Sequence, residues 1–228
     1  WCYRFHLAGY KVVTIKDSVV LHKMGSNAKP VNTFINYYMW RNRIHFFMKY
    51  TPEEKLDHMS YCILSSVFDA MYESMYREEH NIMQTISYAY YDAIRDVRGK
   101  ASDGKIRNND ASDSRFQSYL QTKKTYYLKA DTTEEEQEAQ AFIEALQTEC
   151  QRVEQESDAD VTIVVCPYIM RCKREQYPKK NQIVLDSYKN VILDESDWEA
   201  VSQYDYAKSL FIYMNQGAFL EATKALRK

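Results

Sequence analysis

The amino-acid sequence predicts a mixed α/β protein that is mostly helical. Only 5 of the 228 residues are Gly and 4 are Pro, whereas a turn-rich β fold needs such residues at most of its hairpins. Over long stretches, apolar residues recur at intervals of three and four, which is the pattern of amphipathic helices. One continuous β-branched run, Val161 to Val165, instead indicates a strand that is buried on both faces. Hydrophobic residues make up 45% of the chain, enough for a sizeable core.

The first part of the chain predicts a short helix followed by two short strands. Residues 1–8 have helical character, and Gly9 is placed to end that helix. Residues 10–15 and 19–21 are apolar and β-branched, so each predicts a strand.

Three amphipathic helices are predicted next. Their apolar stripes lie within residues 34–48, 56–75 and 82–97, and Gly99 is placed to end the third helix. The polar, weakly patterned stretch that follows predicts a linker, which we place at residues 106–123.

Beyond the linker, the pattern changes to alternating strands and helices. Thr125 to Lys129 predicts a strand, and Thr133 with Glu136 has the spacing of a capping box before a helix whose apolar stripe continues to Val153. The remaining predicted elements, in chain order, are strands over 160–166, 182–185 and 190–193 and a final helix capped at Ser196 or Asp197. We therefore expect a small α/β domain over residues 124–228.

The net charge is unevenly distributed. Residues 1–50 contain eight Lys or Arg and only Asp17 as an acid, a balance of +7. This excess either binds an anionic molecule or serves solubility alone. Residues 124–228 contain 13 basic and 19 acidic side chains, a balance of −6. An acidic half of this size argues against nucleic acid as a partner along the whole molecule.

Composition also bears on location and redox state. No stretch approaches the roughly 18 apolar residues of a membrane span, and no secretory signal opens the chain. We expect a cytoplasmic protein. The five cysteines (Cys2, Cys62, Cys150, Cys166 and Cys172) are odd in number and form no CxxC pair, which predicts reduced thiols. The six-residue spacing of Cys166 and Cys172 matches no redox or zinc motif, so no chemistry is predicted for that pair.

Three segments within residues 1–50 carry a family pattern. They are WCYRFHLAGY at residues 1–10, DSVVLH at residues 17–22 and RNR at residues 41–43. Together they resemble the end of the catalytic domain in family 2 glycosyltransferases, which have the GT-A fold, and in particular the rhamnosyl- and galactofuranosyl-transferase-like members. Residues 51–105 resemble the family more loosely, as a helical extension, and residues 124–228 resemble nothing that we recognise.

The resemblance implies a glycosyltransferase that uses a nucleotide-diphosphate sugar and a divalent metal, Mn²⁺ or Mg²⁺. It implies an inverting transfer to a glycan or lipid-linked glycan acceptor in the synthesis of a cell-surface polysaccharide. It also places the family's acidic base and its metal-binding DxD motif upstream of Trp1. We therefore expect no catalytic residue in this chain, and we expect the chain alone to be inactive.

Four residues are candidates for the part of the site that this chain would supply. By resemblance, His22 is the metal ligand or a donor to phosphate, although a lone His after an apolar strand is more often structural. Trp1 would line the sugar or acceptor pocket, and Arg4 would hold the upstream acidic pair. Arg41 would reach phosphate, whereas Arg43 points about 200° away on the same helix and is expected in solvent.

A second interpretation makes this chain a non-catalytic module for oligomerisation or for docking to a partner in the same pathway. The Met-rich and Tyr-rich helical stripes fit core packing better than a membrane-facing surface. Peripheral contact with the inner face of the plasma membrane and a homo-oligomer are both left open.

Overall fold

The structure is a computed structural model that describes residues 2–16, 19, 32–109, 115–177 and 179–228. Its contacts define two compact units, residues 1–31 and residues 32–228. The described residues form a mixed α/β fold that is mostly helical, as the composition and periodicity predict. None of the described helices is both long enough and apolar enough to cross a membrane.

Among its described residues, the first unit contains one short helix, α1 (Cys2–Leu7). Gly9 has a φ of +84°, its N–H donates to the carbonyl of His6, and the N–H of Tyr10 donates to the carbonyl of Phe5, each at 3.0 Å. These two bonds form a Schellman motif, in which glycine adopts the left-handed conformation at low cost. Gly9 therefore ends α1, as predicted.

The strand predicted at residues 10–15 does not form. Val13 and Ile15 are 74% and 66% exposed, and residues 10–15 pair with no other strand among the described residues. A single extended segment cannot make the hydrogen-bond ladder that defines a strand, so β-branched composition alone was misleading here. Of the second predicted strand, residues 20 and 21 lie outside the described residues.

Three helices open the second unit and confirm the predicted helical stripes. They are α2 (Phe34–Tyr50), α3 (Leu56–Tyr76) and α4 (His80–Ile94). Helix α4 ends before Gly99, at a turn in which Asp96 has a φ of +54°. The inward faces of the three helices share one core, which includes Tyr37, Trp40, Ile44, Met48, Met59, Ile63, Val67, Ile86, Ala89 and Tyr90.

A five-stranded sheet follows, in the order β2-β1-β3-β4-β5. Its strands are β1 (Thr125–Lys129), β2 (Gln151–Arg152), β3 (Val161–Cys166), β4 (Gln182–Asp186) and β5 (Val191–Ile192). The pairings β1–β2, β1–β3 and β3–β4 are parallel, and β5 runs antiparallel to β4. The β-branched run of β3 lies centrally and is buried, as its composition predicts.

Helices α5 (Arg115–Gln121) and α6 (Thr133–Ala145) cover one face of the sheet. The capping box of α6 uses Thr132 and Glu135, one residue before the predicted pair: the N–H of Glu135 donates to Thr132 Oγ1, and the N–H of Thr132 donates to Glu135 Oε2, each at 3.2 Å. Helix α6 is shorter than its apolar stripe suggests, because Gln147 takes a φ of +53° and turns the chain away.

The last helix, α7 (Glu195–Arg227), has 33 residues and contacts two cores. Its cap is Asp194, whose Oδ1 accepts from the N–H of Asp197 at 3.1 Å, whereas the sequence predicted Ser196 or Asp197. Near its start, Trp198 and Val201 pack with α3 residues against the second face of the sheet. Further along, Ile212 and Phe219 complete the core of α2, α3 and α4.

The observed contacts therefore divide the chain differently from the predicted domains. Helix α7 joins the helices of the predicted 51–105 extension to the sheet of the predicted 124–228 domain, so both belong to one compact unit. The predicted 106–123 linker includes α5, whose Phe116 and Leu120 are fully buried. Two buried positions four residues apart were too short a pattern to identify as a helix.

We predict that Phe219→Ala lowers the free energy of unfolding by about 3–5 kcal/mol, because it leaves a cavity beside Tyr90, whose ring stacks on Phe219 at 6.4 Å. Urea unfolding followed by circular dichroism and by tryptophan fluorescence measures the loss. Tyr213→Ala is the matched control, since Tyr213 is 84% exposed on the same helix, and it should change stability by about 0.5 kcal/mol or less. Both probes should shift together, and a shift seen by one probe alone would contradict the shared role of α7.

Candidate functional site

The predicted site residues of the first unit are only partly described. Trp1 and His22 lie outside the described residues. Arg4 lies on α1, is exposed, and has a carbonyl that accepts the N–H of Ala8. The roles of Trp1, Arg4 and His22 therefore stay predictions.

Arg41 lies in the interior of the second unit, which differs from the expected phosphate-binding position. The residue is 5% exposed, and its guanidinium carbon lies 5.1 Å from the ring centre of Tyr37 and 4.9 Å from that of Tyr38. Its Nη1 donates to the carbonyl of Gly99 at 2.9 Å. These contacts tie α2 to the segment after α4, so the guanidinium has a structural role. Arg43 is exposed, as predicted.

One turn after Arg41, His45 is buried beside Asp96. His45 Nε2 lies 2.9 Å from Asp96 Oδ1, and the imidazole is 8% exposed. Burial, together with the positive charge of Arg98, lowers the pKa of His45 to about 4, although Asp96 acts in the opposite direction. His45 is therefore neutral near pH 7 and adds nothing to the positive charge of α2.

The sheet has the strand order in which ligands commonly bind. The order reverses between β1 and β3, and open parallel sheets bind ligands outside the carboxyl ends of strands at such a reversal. Here, however, the first turn of α6 carries Glu134, Glu135 and Glu136. Their negative charge stabilises the positive end of the helix dipole, and it repels a phosphate that would bind at the same helix N-terminus. These three carboxylates therefore oppose the binding of a phosphate at the N-terminus of α6.

A cavity of about 370 Å³ lies between α6 and the ends of β3 and β4. Its lining combines apolar Phe142 and Val165 with Glu138, Asp186 and Lys189. Within the described residues, no group of three or more His, Cys, Asp or Glu side chains could hold a metal ion. The cavity therefore offers mixed polarity without a metal centre.

Asp186, at the end of β4, organises the loops at this edge. Its carboxylate accepts the backbone N–H of Ile169 at 3.1 Å, those of Tyr188 and Asn190 at 2.9 Å each, and the side-chain amide of Asn190 at 3.0 Å. Four donors satisfy a buried carboxylate, so Asp186 holds the loop after β3 against the turn between β4 and β5.

The loop after β3 brings two thiols together. The Sγ atoms of Cys166 and Cys172 lie 3.5 Å apart, and the hydroxyl of Tyr177 lies 3.4 Å from Cys172 Sγ. Sequence analysis missed this pair because its spacing matches no motif. The available signal was position: Cys166 ends a buried strand, and a tight turn follows that can return the chain to the strand end.

The same loop is anchored to α3 and α7. Tyr168 Oη donates to Glu73 Oε1 at 2.9 Å. The ring of Tyr177 lies 5.4 Å from that of Trp198, near the start of α7. A movement of the two thiols would therefore alter the contacts between this loop and helices α3 and α7.

Comparison with protein-family models, with curated proteins and with solved structures finds no match to this chain.

We predict that Arg41→Ala lowers the free energy of unfolding by about 1.5–3 kcal/mol, the usual range for a hydrogen bond to a charged group. Arg43→Ala is the matched control on the same helix. Arg43 is exposed, and its guanidinium carbon lies 5.3 Å from the ring centre of Trp40, so its loss should cost no more than about 1 kcal/mol. Equal effects of the two variants in chemical denaturation would contradict a structural role specific to Arg41.

We predict that stability falls as the pH drops from about 6.5 towards 4, because unfolded His45 binds a proton in this window and folded His45 does not. Over this pH window, protonation of His45 in the unfolded chain should lower the free energy of unfolding by about 3 kcal/mol, at about 1.36 kcal/mol per pKa unit. His45→Gln should remove this part of the pH dependence. Urea unfolding of both proteins at several pH values measures it, and identical pH slopes would show that His45 is not responsible.

Proposed function

We propose that this chain is the C-terminal part of a metal-dependent family 2 glycosyltransferase that transfers a sugar from a nucleotide-diphosphate donor to a growing cell-surface polysaccharide. In this proposal, residues 1–50 complete a GT-A catalytic domain. The observation that carries it is the order and spacing of the three segments at residues 1–10, 17–22 and 41–43.

The residues after 50 would form a non-catalytic extension. Two observations support this assignment. The buried carboxylate of Asp186 is occupied by internal hydrogen bonds, and the described residues contain no cluster that fits a divalent cation. In the transferase, this extension would serve to dock a partner or to form an oligomer. These are the roles given by the second interpretation of the sequence.

The proposed reaction needs a carboxylate that takes the proton of the acceptor hydroxyl as its oxygen attacks the anomeric carbon and the bond to the diphosphate breaks. We assign that base to residues upstream of Trp1. A divalent cation would stabilise the departing diphosphate when bound. Of this chain, His22 is the residue that we assign to the cation or the phosphate, and Trp1 and Arg4 are assigned to the substrate side. Arg41 is enclosed by Tyr37 and Tyr38 and is therefore left out of the phosphate site.

We predict that His22→Ala, in the protein extended by its upstream catalytic segment, lowers turnover roughly 10²–10³-fold, as loss of one group that stabilises developing charge typically does. Nucleoside diphosphate release from uridine and deoxythymidine diphosphate sugars, with Mn²⁺ and with an acceptor glycan, measures turnover. This chain by itself should give only the background rate.

Melting temperature and a second variant make this test specific. Arg43→Ala, on an exposed residue of the same basic region, should leave turnover unchanged and lower the melting temperature by no more than about 4 °C. A stably folded His22→Ala protein with normal turnover would remove His22 from the site. Absence of metal-dependent donor turnover in the unaltered extended protein, with every sugar tested, would overturn the proposed function itself.

A further inference from the structure

Cys166 and Cys172 are brought together by the turn that follows β3. Cys166 is the last residue of the strand and is 5% exposed. A short 3-10 helix, Ile169–Arg171, then reverses the chain, and the N–H of Cys172 closes the turn by donating to the carbonyl of Ile169 at 2.9 Å. Asp186 fixes the same turn through the N–H of Ile169. The short distance between the sulfur atoms is therefore a property of an organised loop.

The two thiols have unequal surroundings. Hydrogen bonding with Cys166, together with the hydroxyl of Tyr177, lowers the pKa of Cys172 to about 7, although burial and the charge of Asp186 act in the opposite direction. Hydrogen bonding with Cys172 and burial raise the pKa of Cys166. Cys172 is half-buried rather than enclosed. The pair thus combines a half-buried thiol of lowered pKa with an enclosed partner thiol of raised pKa, the arrangement of reactive dithiols.

We propose that Cys166 and Cys172 form a redox-active dithiol site that closes to an intrachain disulfide when a hydroperoxide oxidises it. The Cys172 thiolate attacks the peroxide oxygen, the O–O bond breaks, and the departing oxygen leaves as water or an alcohol after protonation. Cys172 is then a sulfenic acid. The sulfur of Cys166 attacks the sulfur of Cys172, and the sulfenic hydroxyl leaves as water with the Cys166 proton. The dithiol loses two electrons and the peroxide gains them.

Closure requires the sulfur atoms to approach from 3.5 Å to the roughly 2.05 Å of a disulfide. Cys166 belongs to a central strand, whereas Cys172 lies between two short 3-10 helices, Ile169–Arg171 and Arg174–Gln176. Cys172 is therefore the side that moves. Its displacement would break the 3.4 Å contact with Tyr177, whose ring packs on Trp198. We expect tryptophan fluorescence to report the closure.

The test uses the full chain with Cys2→Ser and Cys62→Ser, which removes the two exposed thiols. Hydrogen peroxide is added at neutral pH, free thiols are blocked with iodoacetamide, and the protein is cleaved with trypsin. Trypsin cuts after Arg171 and Lys173, so a disulfide would hold the dipeptide of residues 172–173 to the peptide of residues 153–171. We expect this linked species as the main product, and dithiothreitol should release it and restore the fluorescence.

Single variants separate the two steps. In Cys166→Ser, Cys172 should stop at the sulfenic acid and be trapped by dimedone, whereas in Cys172→Ser, Cys166 should stay reduced. Cys150 is buried, and burial raises its pKa, so it is the internal control and should stay reduced throughout.

If a variant does not fold, phenylarsine oxide is used instead on the protein that carries only Cys2→Ser and Cys62→Ser. It should bridge both thiols with loss of one water. Recovery of both cysteines as separately alkylated residues after peroxide treatment, or a disulfide from Cys172 to any other cysteine, would overturn the proposal.

Discussion

Helix α7 packs into two hydrophobic cores, that of α2, α3 and α4 and that on the second face of the sheet. The packing of the second unit depends on this one helix. At about 1.5 Å per residue, its 33 residues span roughly 50 Å, which is enough to cross both the sheet and the three-helix core. Its start is fixed by the Asp194 cap and by Arg115, whose Nη1 donates to Asp197 Oδ1 at 2.9 Å. That pair also ties α7 to α5 on the other side of the sheet. Without this one helix, the second face of the sheet and the core of α2, α3 and α4 would each lose part of their buried apolar surface.

Elements with strong local patterns were predictable, and their long-range pairing was not. The stripes of α2, α3 and α4 and the β-branched run of β3 identify these elements because periodicity is written within the segment itself. The joining of the predicted 51–105 and 124–228 parts depends on side chains such as Phe219, which is distant in sequence from the residues that it packs against. Local patterns carry no information about that distance. Residues 10–15 illustrate the converse case, in which strand-like composition has no strand to pair with.

The surroundings of the candidate site residues could not be predicted from residue type alone. A basic segment at residues 41–43 is compatible both with phosphate binding and with a guanidinium enclosed by aromatic rings. The difference lies in Tyr37 and Tyr38, which the helix places one turn before Arg41 and which enclose its charge. The paired thiols of Cys166 and Cys172 were missed for a related reason. Their proximity comes from a turn that Asp186 fixes through the N–H of Ile169, and Asp186 follows Cys172 by 14 positions.

At the carboxyl edge of the sheet, Asp186 and Glu135 accept hydrogen bonds from backbone N–H groups of the protein itself. Parallel sheets with this strand order usually direct backbone N–H groups and helix dipoles at a ligand. Here, Asp186 consumes three backbone N–H groups, and Glu135 takes part in the capping box of α6. With these donors occupied from within, the edge binds its own loop in place of an anion. The bond from the N–H of Ile169 to Asp186 also fixes the turn that brings the sulfur atoms of Cys166 and Cys172 to 3.5 Å, so the carboxylate that holds the loop also positions the dithiol.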